Sequence, residues 1–432
     1  MEVTEILILV ITFFALLAMG VPISFSIGLS TLATMLCTID ALPSYTTVAQ
    51  RMATGIDSFA LLAIPFFILA GQLMNSGGIA RRLIDFAKVL VGKLPGGLAF
   101  VNVMAAMLFG AISGSAAAAA SAIGGFMTPV MKKEGYDPGF SAAVNVTSAT
   151  TGLIIPPSNI LIVYSLASGG VSIAALFLAG YIPGMLFGLS IMAVAYIYAL
   201  KKGYKSSETV SFKDGTKKFL HALPSLLLII IVIGGIIAGY FTATEASAIA
   251  VLYAFILSVF IYREIKLSDL PKILVDSAST TAVVMLLVGT SMAMSWVMAY
   301  ENIPQNVANA LVALSENKIV ILLIINFILL IVGTFMDMTP AVLIFTPIFL
   351  PVALHLGIDP IHFGIIIVMN LCIGLCTPPV GSVLFIGCSV AGLSITKVIK
   401  PLIPMFIAMT ITLLIVTYIP ELSLWVPRFF GF

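Results

Sequence analysis

The sequence predicts an all-α, polytopic membrane protein built from two repeats of opposite orientation. Its 432 residues are 61% hydrophobic and only 9% charged, whereas soluble domains contain about 25% charged residues. Uncharged runs recur along the whole chain, and each is long enough for one or two apolar stretches of about 20 residues, the length that crosses a bilayer. A third observation, a pattern of glycines and prolines that returns at constant spacing, divides the chain into halves.

The repeat is clearest around a pair of prolines. The stretch GLIIPPSNIL at 152–161 has a counterpart, GLCTPPVGSV, at 374–383. The spacing of 222 residues that relates Pro156 to Pro378 also aligns glycine, aspartate and proline positions on either side. We therefore predict a first repeat at 1–200, a cytoplasmic linker at 201–221, a second repeat at 222–420 and a C-terminal tail at 421–432.

The number of crossings predicts that the repeats are inverted. Five spans fit the first half, near 6–20, 21–39, 58–77, 138–166 and 173–200. An odd number places the second half upside down, with about ten or eleven transmembrane helices in all. With the linker in the cytoplasm, 17 of the 20 Lys and Arg residues lie inside, the exceptions being Arg51, Lys318 and Arg428. Such a bias is typical of cytoplasmic loops.

Two further apolar runs, 94–131 and 319–358, begin and end on the same side in this topology. Each is either two complete spans or a re-entrant hairpin that turns back at mid-membrane. Polar residues at their centres favour hairpins, because they are good ion ligands and poor neighbours for lipid. These are Ser113, Gly114 and Ser115 in the first, and Gly333, Thr334, Asp337 and Thr339 in the second.

Asp337 is a functional candidate by its position alone, because an acidic side chain inside a membrane costs about 2.5–3.5 kcal/mol to insert. The alternative is a helix cap at a water-facing turn. For Ser113 and Ser115 the alternative is close packing of small residues between helices.

The proline pairs predict broken helices at 138–166 and 360–388. A proline inside a helix costs about 3 kcal/mol, and freed backbone groups are tolerated in a membrane only where they line a cavity. The exposed carbonyl groups suit a sodium ion and the exposed N–H groups suit a carboxylate. Two hairpin tips and two breaks therefore predict two ion sites around one substrate cavity. The alternative is that each pair simply ends a helix at the membrane surface.

Other classes of protein fit poorly. The net charge of +2 comes from loop residues and indicates no nucleic-acid partner. His221, His355 and His362 form no HExxH motif, so no zinc enzyme is predicted. A channel requires a continuous polar lining, whereas the polar residues here cluster at four points.

Several of these stretches resemble one known family. They are IPFFILAGQLMNSGGIARRLIDFA (64–87), GAISGSAAAAASAIG (110–124), GLIIPPSN (152–159), YIPGML (181–186), TATEASAIA (242–250), FMDMTPAVLIFTPIFLPV (335–352) and GLCTPPVGS (374–382). The chain is similar over nearly its whole length to the large membrane subunit of TRAP (tripartite ATP-independent periplasmic) transporters.

The resemblance implies a bacterial inner-membrane protein that imports an organic acid, a C4-dicarboxylate or a sialic acid, driven by sodium ions. It also implies two partners: a small four-helix membrane subunit, expected as a separate chain because only five residues precede the first span, and a periplasmic substrate-binding protein. The implied fold is of the elevator type, in which hairpins and broken helices move against a scaffold. The amphipathic stretches 77–95 and 300–317 would link the two parts.

Site residues follow from the resemblance by position. One sodium site would use Ser113 and Ser115 with the backbone of Gly152, Ile155 and Pro156. A second would use Gly333, Asp337, Thr339, Gly374 and Thr377. The substrate would contact Ser158, Asn159, Gly381 and Ser382, and Asn145, Ser148 and Thr151 would line the cavity. A stand-alone sodium–dicarboxylate symporter of the same architecture is the alternative function.

Overall fold

The structure is a computed structural model that describes residues 2–204, 212–315, 317–378 and 380–432. The described part of the first half contains ten α-helices. They are α1 (Glu2–Ala18), α2 (Ile23–Thr38), α3 (Ala41–Ile56), α4 (Ala63–Ser76), α5 (Ile79–Val91), α6 (Gly97–Ser113), α7 (Ala116–Lys133), α8 (Pro138–Thr151), α9 (Asn159–Ala167) and α10 (Ile173–Lys202). A 3-10 turn, Phe59–Leu62, leads into α4.

The described part of the second half contains another ten helices. They are α11 (Phe212–Ile237), α12 (Ala243–Phe255), α13 (Leu270–Tyr300), α14 (Ile303–Leu314), α15 (Lys318–Phe335), α16 (Met338–His355), α17 (Pro360–Leu375), α18 (Ser382–Ala391), α19 (Ile395–Tyr418) and α20 (Glu421–Phe429). A π-helical segment, Ile256–Ile261, extends α12, and a 3-10 turn, Leu267–Asp269, precedes α13. The all-α prediction is confirmed for this part of the chain.

Eight helical segments of the described residues are long and apolar enough to cross a membrane. Two of them, Phe59–Ser76 and Ile173–Lys202, coincide with spans predicted for the first half. Two others are α15 and α16, so length alone is compatible with either a hairpin or two spans at 319–358. Helices α1 and α2 are shorter, with 17 and 16 residues. The count of ten or eleven spans stays a prediction.

Helix boundaries recur at the spacing found in the sequence. Helix α7 begins and ends 222 residues before α16, and α8 and α10 begin 222 residues before α17 and α19. The turns between these helices therefore fall at equivalent sequence positions in both halves. The opposite orientation of the halves in a membrane stays a prediction.

The helix contacts define two groups, which also touch each other where α13 packs on α16 and α4 on α6. In one group, α4 packs on α12 and α13, and α13 also packs on α2 and α3. In the other group, α7 packs on α18 and its counterpart α16 packs on α9, so that each half supplies a helix to the other. Helix α5 contacts α11 on one side and α6 on the other, and α14 contacts both α13 and α16. These two amphipathic helices thus lie between the groups.

Three segments differ from the sequence interpretation. Helix α3 was not predicted, because its apolar residues lie on one helical face and form no run; it packs on α13, with Gly55 against Met292. Helix α11 begins at Phe212, inside the predicted linker, of which residues 205–211 lie outside the described residues. The predicted tail contains α20, which packs on α10.

Candidate functional site

The link between α6 and α7 is a two-residue turn, which we call tip 1 (Gly114–Ser115). Gly114 has a positive φ of 62° and ends α6, a backbone conformation that glycine adopts without steric cost. Ser115 starts α7 as its N-cap, and its Oγ accepts a hydrogen bond of 3.2 Å from the Ala118 N–H. Glycine followed by serine therefore reverses the chain in the middle of the apolar run.

The link between α15 and α16 is the equivalent turn, tip 2 (Met336–Asp337). Asp337 occupies the position of Ser115 at the 222-residue spacing and likewise stands at the N-cap of α16. Its carboxylate makes no side-chain capping bond of the kind that Ser115 makes; it lies beside the backbone N–H of Met338. The side chain is exposed although it belongs to an apolar segment, so capping alone does not account for this aspartate.

The first proline pair interrupts a helix, as predicted. Helix α8 ends at Thr151 and α9 begins at Asn159, which leaves break 1 (152–158) without α-helical structure. The Pro156–Pro157 peptide bond is cis. The Ser158 hydroxyl donates a hydrogen bond of 2.5 Å to the Leu153 carbonyl and closes the loop.

The second proline pair also lies at a helix interruption, break 2 (376–381), of which Pro379 lies outside the described residues. The Thr377 N–H donates to the Gly374 carbonyl at 2.9 Å, and the Gly381 N–H donates to the Thr377 carbonyl at 3.1 Å. The Thr377 hydroxyl donates to the Ile373 carbonyl at 2.7 Å. The predicted broken helices are thus observed as α8–α9 and α17–α18.

Glycine contacts join each tip to a break. A methyl group built on Gly110, one turn before tip 1, would lie 2.8 Å from the Gly152 Cα at the start of break 1. A methyl group on Gly114 would lie 2.8 Å from the Asn159 Nδ2. In the second half, a methyl group on Gly333 would lie 3.0 Å from the Gly374 Cα. Backbones approach this closely only where neither residue has a side chain.

Both tips, break 1 and the helix ends on either side of break 2 border one cavity of about 260 Å³. Six predicted site residues line it: Ser113, Ser115, Asn159, Asp337, Thr339 and Ser382. Residues that the sequence places more than 220 positions apart are therefore neighbours here. Asp337 is the only charged residue among the described residues that line the cavity.

Eight other predicted residues do not line the cavity. They belong to the breaks or to the glycine contacts: Gly152, Ile155, Pro156, Ser158, Gly333, Gly374, Thr377 and Gly381. Ser158 is fully buried, and its hydroxyl already holds the loop of break 1 together. Ile155 packs against Gly184 of α10. Backbone carbonyl groups, which need no exposed side chain, are what a sodium site would take from these residues.

Asn145, Ser148 and Thr151 lie elsewhere. They are buried in α8 and do not line the cavity. The Asn145 Nδ2 donates to the Ala120 carbonyl of α7 at 2.9 Å, and the hydroxyl groups of Ser148 and Thr151 donate to carbonyls of their own helix. Helix α8 is buried on all sides, so its polar residues face neighbouring helices. The spacing of polar residues along α8 therefore did not show whether they border the cavity. A substrate role for these residues stays a prediction.

Three polar residues of the lining were missed by the sequence analysis. Gln72 and Asn75 belong to α4 and Thr280 belongs to α13, both in the other packing group. The available signal was weak: two amide side chains in an otherwise apolar helix.

The lining combines polar oxygens with apolar side chains. Hydroxyl, carboxylate and carbonyl oxygens are the ligand types that hard cations prefer, and apolar side chains such as Ile64, Ile68 and Val163 surround them. Together with the eight apolar segments, this arrangement defines a multi-pass membrane protein with a solute-sized internal site, the class to which secondary transporters belong.

The chain belongs to a transporter family. The family described as "Tripartite ATP-independent periplasmic transporter, DctM component" matches residues 10–422. The predicted resemblance is thereby confirmed, and the protein is a TRAP transporter large permease rather than an enzyme.

Individual relatives agree with this membership. The chain is 58% identical to the "Uncharacterized protein YgiK" of Salmonella typhimurium, over 99% of this chain and 98% of the relative. It is 40% identical to the C4-dicarboxylate TRAP transporter large permease protein DctM of Rhodobacter capsulatus, over 96% of this chain and 97% of the relative. It is 42% identical to the isethionate TRAP transporter permease protein DctMQ of Oleidesulfovibrio alaskensis, covering 97% of this chain but 65% of the relative.

One solved structure has a similar fold. The YdaH transporter of Alcanivorax borkumensis superposes with a TM-score of 0.66 over 91% of this chain and 90% of that chain, at 14% identity. At this identity the likeness concerns the fold alone.

Proposed function

We propose that this chain is the transport subunit of a sodium-driven TRAP transporter that imports an organic acid across the bacterial inner membrane. The observation that carries the proposal is the single cavity bordered by both tips, by break 1 and by the helix ends that flank break 2. The substrates for which two relatives are named, a C4-dicarboxylate and isethionate, are both organic acids. A C4-dicarboxylate or a sialic-acid type of substrate is therefore the proposed class.

Charge is the reason for assigning sodium as the co-transported ion. The described lining contains one carboxylate, Asp337, and no Lys, Arg or His. An organic anion entering this cavity alone would meet a like charge and lose its hydration, which is unfavourable in a low-dielectric site. Sodium ions bound first supply the missing positive charge. Substrate binding then depends on sodium because the two opposite charges are accommodated only together.

With sodium bound, the two ion sites would differ in net charge. At tip 2, the Asp337 carboxylate neutralises a bound sodium ion. At tip 1, the corresponding ligand is the neutral Ser115, so a sodium ion held there with Ser113 and the carbonyls of break 1 keeps its positive charge. The substrate carboxylate would pair with this second ion and with the free N–H groups at the start of α9.

The movement we propose is of the elevator type. The group that contains α6–α9 and α15–α18 carries both tips and both breaks, whereas α4 packs on α12 and α13 and meets this group at α6. Helices α5 and α14 lie between the groups and would act as the connecting arms. A small four-helix membrane subunit and a periplasmic substrate-binding protein are the proposed partners.

The test is uptake into proteoliposomes that contain this chain and its small subunit. Labelled succinate, malate, isethionate and N-acetylneuraminate are offered with and without an inward sodium gradient, and with and without the binding protein. We expect uptake of one class of acid that requires both sodium and the binding protein. Sodium-driven uptake without the binding protein would instead indicate a stand-alone symporter, and uptake indifferent to sodium would refute the proposed coupling.

A further inference from the structure

The cavity has a second wall that the transport group does not supply. Helix α4 contributes a single face to the lining, with residues spaced at three, four, seven or eight positions: Ile64, Ile68, Gly71, Gln72 and Asn75. Such spacing places side chains on one side of a helix. The part of this face nearest to α5 is polar, since it ends in two amide side chains.

Helix α4 touches the last residue of α6, directly before tip 1. A methyl group built on Gly71 would lie 2.8 Å from the Ser113 carbonyl oxygen and 3.2 Å from the Ser113 Cα. The two backbones are therefore in contact, and Gln72 follows at the next position. This contact places α4 beside Ser113 and tip 1.

The two amides have unused hydrogen-bonding capacity. Within the part of the chain that the structure describes, neither the Gln72 nor the Asn75 side chain makes a hydrogen bond, and Gln72 is half-buried. Across the cavity, the Thr280 hydroxyl donates to the Asp276 carbonyl at 2.9 Å and keeps its lone pairs free. Asn75 is exposed. Each amide offers two donors and an acceptor, which are available to a ligand or water in the cavity.

We propose that Gln72 and Asn75, with Thr280, bind the part of the substrate that points away from tip 2 and thereby select which acid is transported. The neutral amides donate to carboxylate or sulfonate oxygens and accept from hydroxyl groups, without adding a charge that the sodium ions would have to balance. The substrates selected in this way are organic acids with a hydroxyl group or a second acidic group beyond the first carboxylate. This inference rests on the proposed function and assigns a specificity role to a helix outside the transport group.

The test compares substitutions at these two amides in the same proteoliposomes. The preferred acid and the competition of succinate, malate and tartrate, which carry no, one and two hydroxyl groups on the same skeleton, are established first for the wild type. Gln72→Leu and Asn75→Leu are then measured against Gln50→Leu, an exposed glutamine of α3. A hydrogen bond to a charged or hydroxyl group is worth about tenfold in affinity.

We expect each cavity variant to raise the KM of the preferred acid about tenfold and to flatten the ratio between the three competitors, with the sodium dependence and the maximal rate retained. The Gln50→Leu variant is expected to match the wild type. The inference would be overturned if a cavity variant bound all the acids equally more weakly, with the competition ratios unchanged. It would also be overturned if the KM and the ratios both stayed as in the wild type. If the proposed function is wrong, the wild type itself will show no sodium-driven uptake of the acid. If only this inference is wrong, the wild type will transport and the two cavity variants will keep its competition ratios between succinate, malate and tartrate.

Discussion

Replacement of Asp337 by asparagine is expected to lower sodium-driven uptake about a hundredfold. The change keeps the shape of the side chain and removes the only charge that the described residues bring to the cavity lining. Loss of a hydrogen-bonded or ion-ligating charge in a desolvated site costs about 3 kcal/mol, which corresponds to about a hundredfold in affinity. The measurement is the sodium concentration that gives half-maximal uptake of the preferred acid.

A matched control is available in Asp40→Asn. Asp40 is exposed in the link between α2 and α3 and makes no capping hydrogen bond, so this variant is expected to transport normally. Unchanged sodium dependence in Asp337→Asn would contradict the assignment of this carboxylate to an ion site. The alternative interpretation, a helix cap, predicts lower thermal stability of the purified protein with no change in sodium affinity.

The second large effect is expected from a single methyl group at Gly110. Alanine normally stabilises a helix relative to glycine by about 1 kcal/mol. At this position, however, the added carbon would lie 2.8 Å from the Gly152 Cα, closer than van der Waals contact allows. The methyl group would push tip 1 away from break 1, and overpacking of this kind costs about 1–3 kcal/mol. We expect at least about a tenfold loss of sodium affinity at normal expression.

Gly125→Ala is the matched control for this prediction. Gly125 lies on the exposed face of α7, in the same helix pair, and a methyl group there would meet nothing within 4 Å. It is expected to leave uptake unchanged. Equal behaviour of Gly110→Ala and Gly125→Ala would show that the approach of tip 1 to break 1 does not govern the ion site.

The breaks and tips were predictable because each depends on a few neighbouring residues and because a similar signal occurs in both halves of the chain. Proline in an apolar run can end a helix whatever its surroundings. Serine and aspartate, which start the second helix at tip 1 and tip 2, are common N-cap residues, and at tip 1 a glycine ends the preceding helix. The 222-residue spacing then indicated which local signals belonged together. Helices α6–α9 and α15–α18 accordingly fall in the four runs 94–131, 138–166, 319–358 and 360–388 or within three residues of their ends, whereas the helix ends inside each run were not predicted.

The other wall of the cavity was not predictable in this way. Gln72 and Asn75 have no counterpart in a repeated motif, and whether an amide in an apolar helix faces lipid, a neighbour or a cavity depends on packing between distant segments. The same limitation explains Asn145, whose spacing in α8 was compatible with a cavity face but whose side chain bonds to α7. Helices α3 and α20 were missed because amphipathic segments lack the uncharged runs that marked the spans.

The most direct test of the central claim is the ratio of sodium to acid that enters the same proteoliposomes, measured with radiolabelled sodium and the labelled preferred acid. Two ion positions at the two tips predict that two or more sodium ions accompany each molecule of acid, and that Asp337→Asn lowers this number. Entry of the acid without any accompanying sodium would contradict the account.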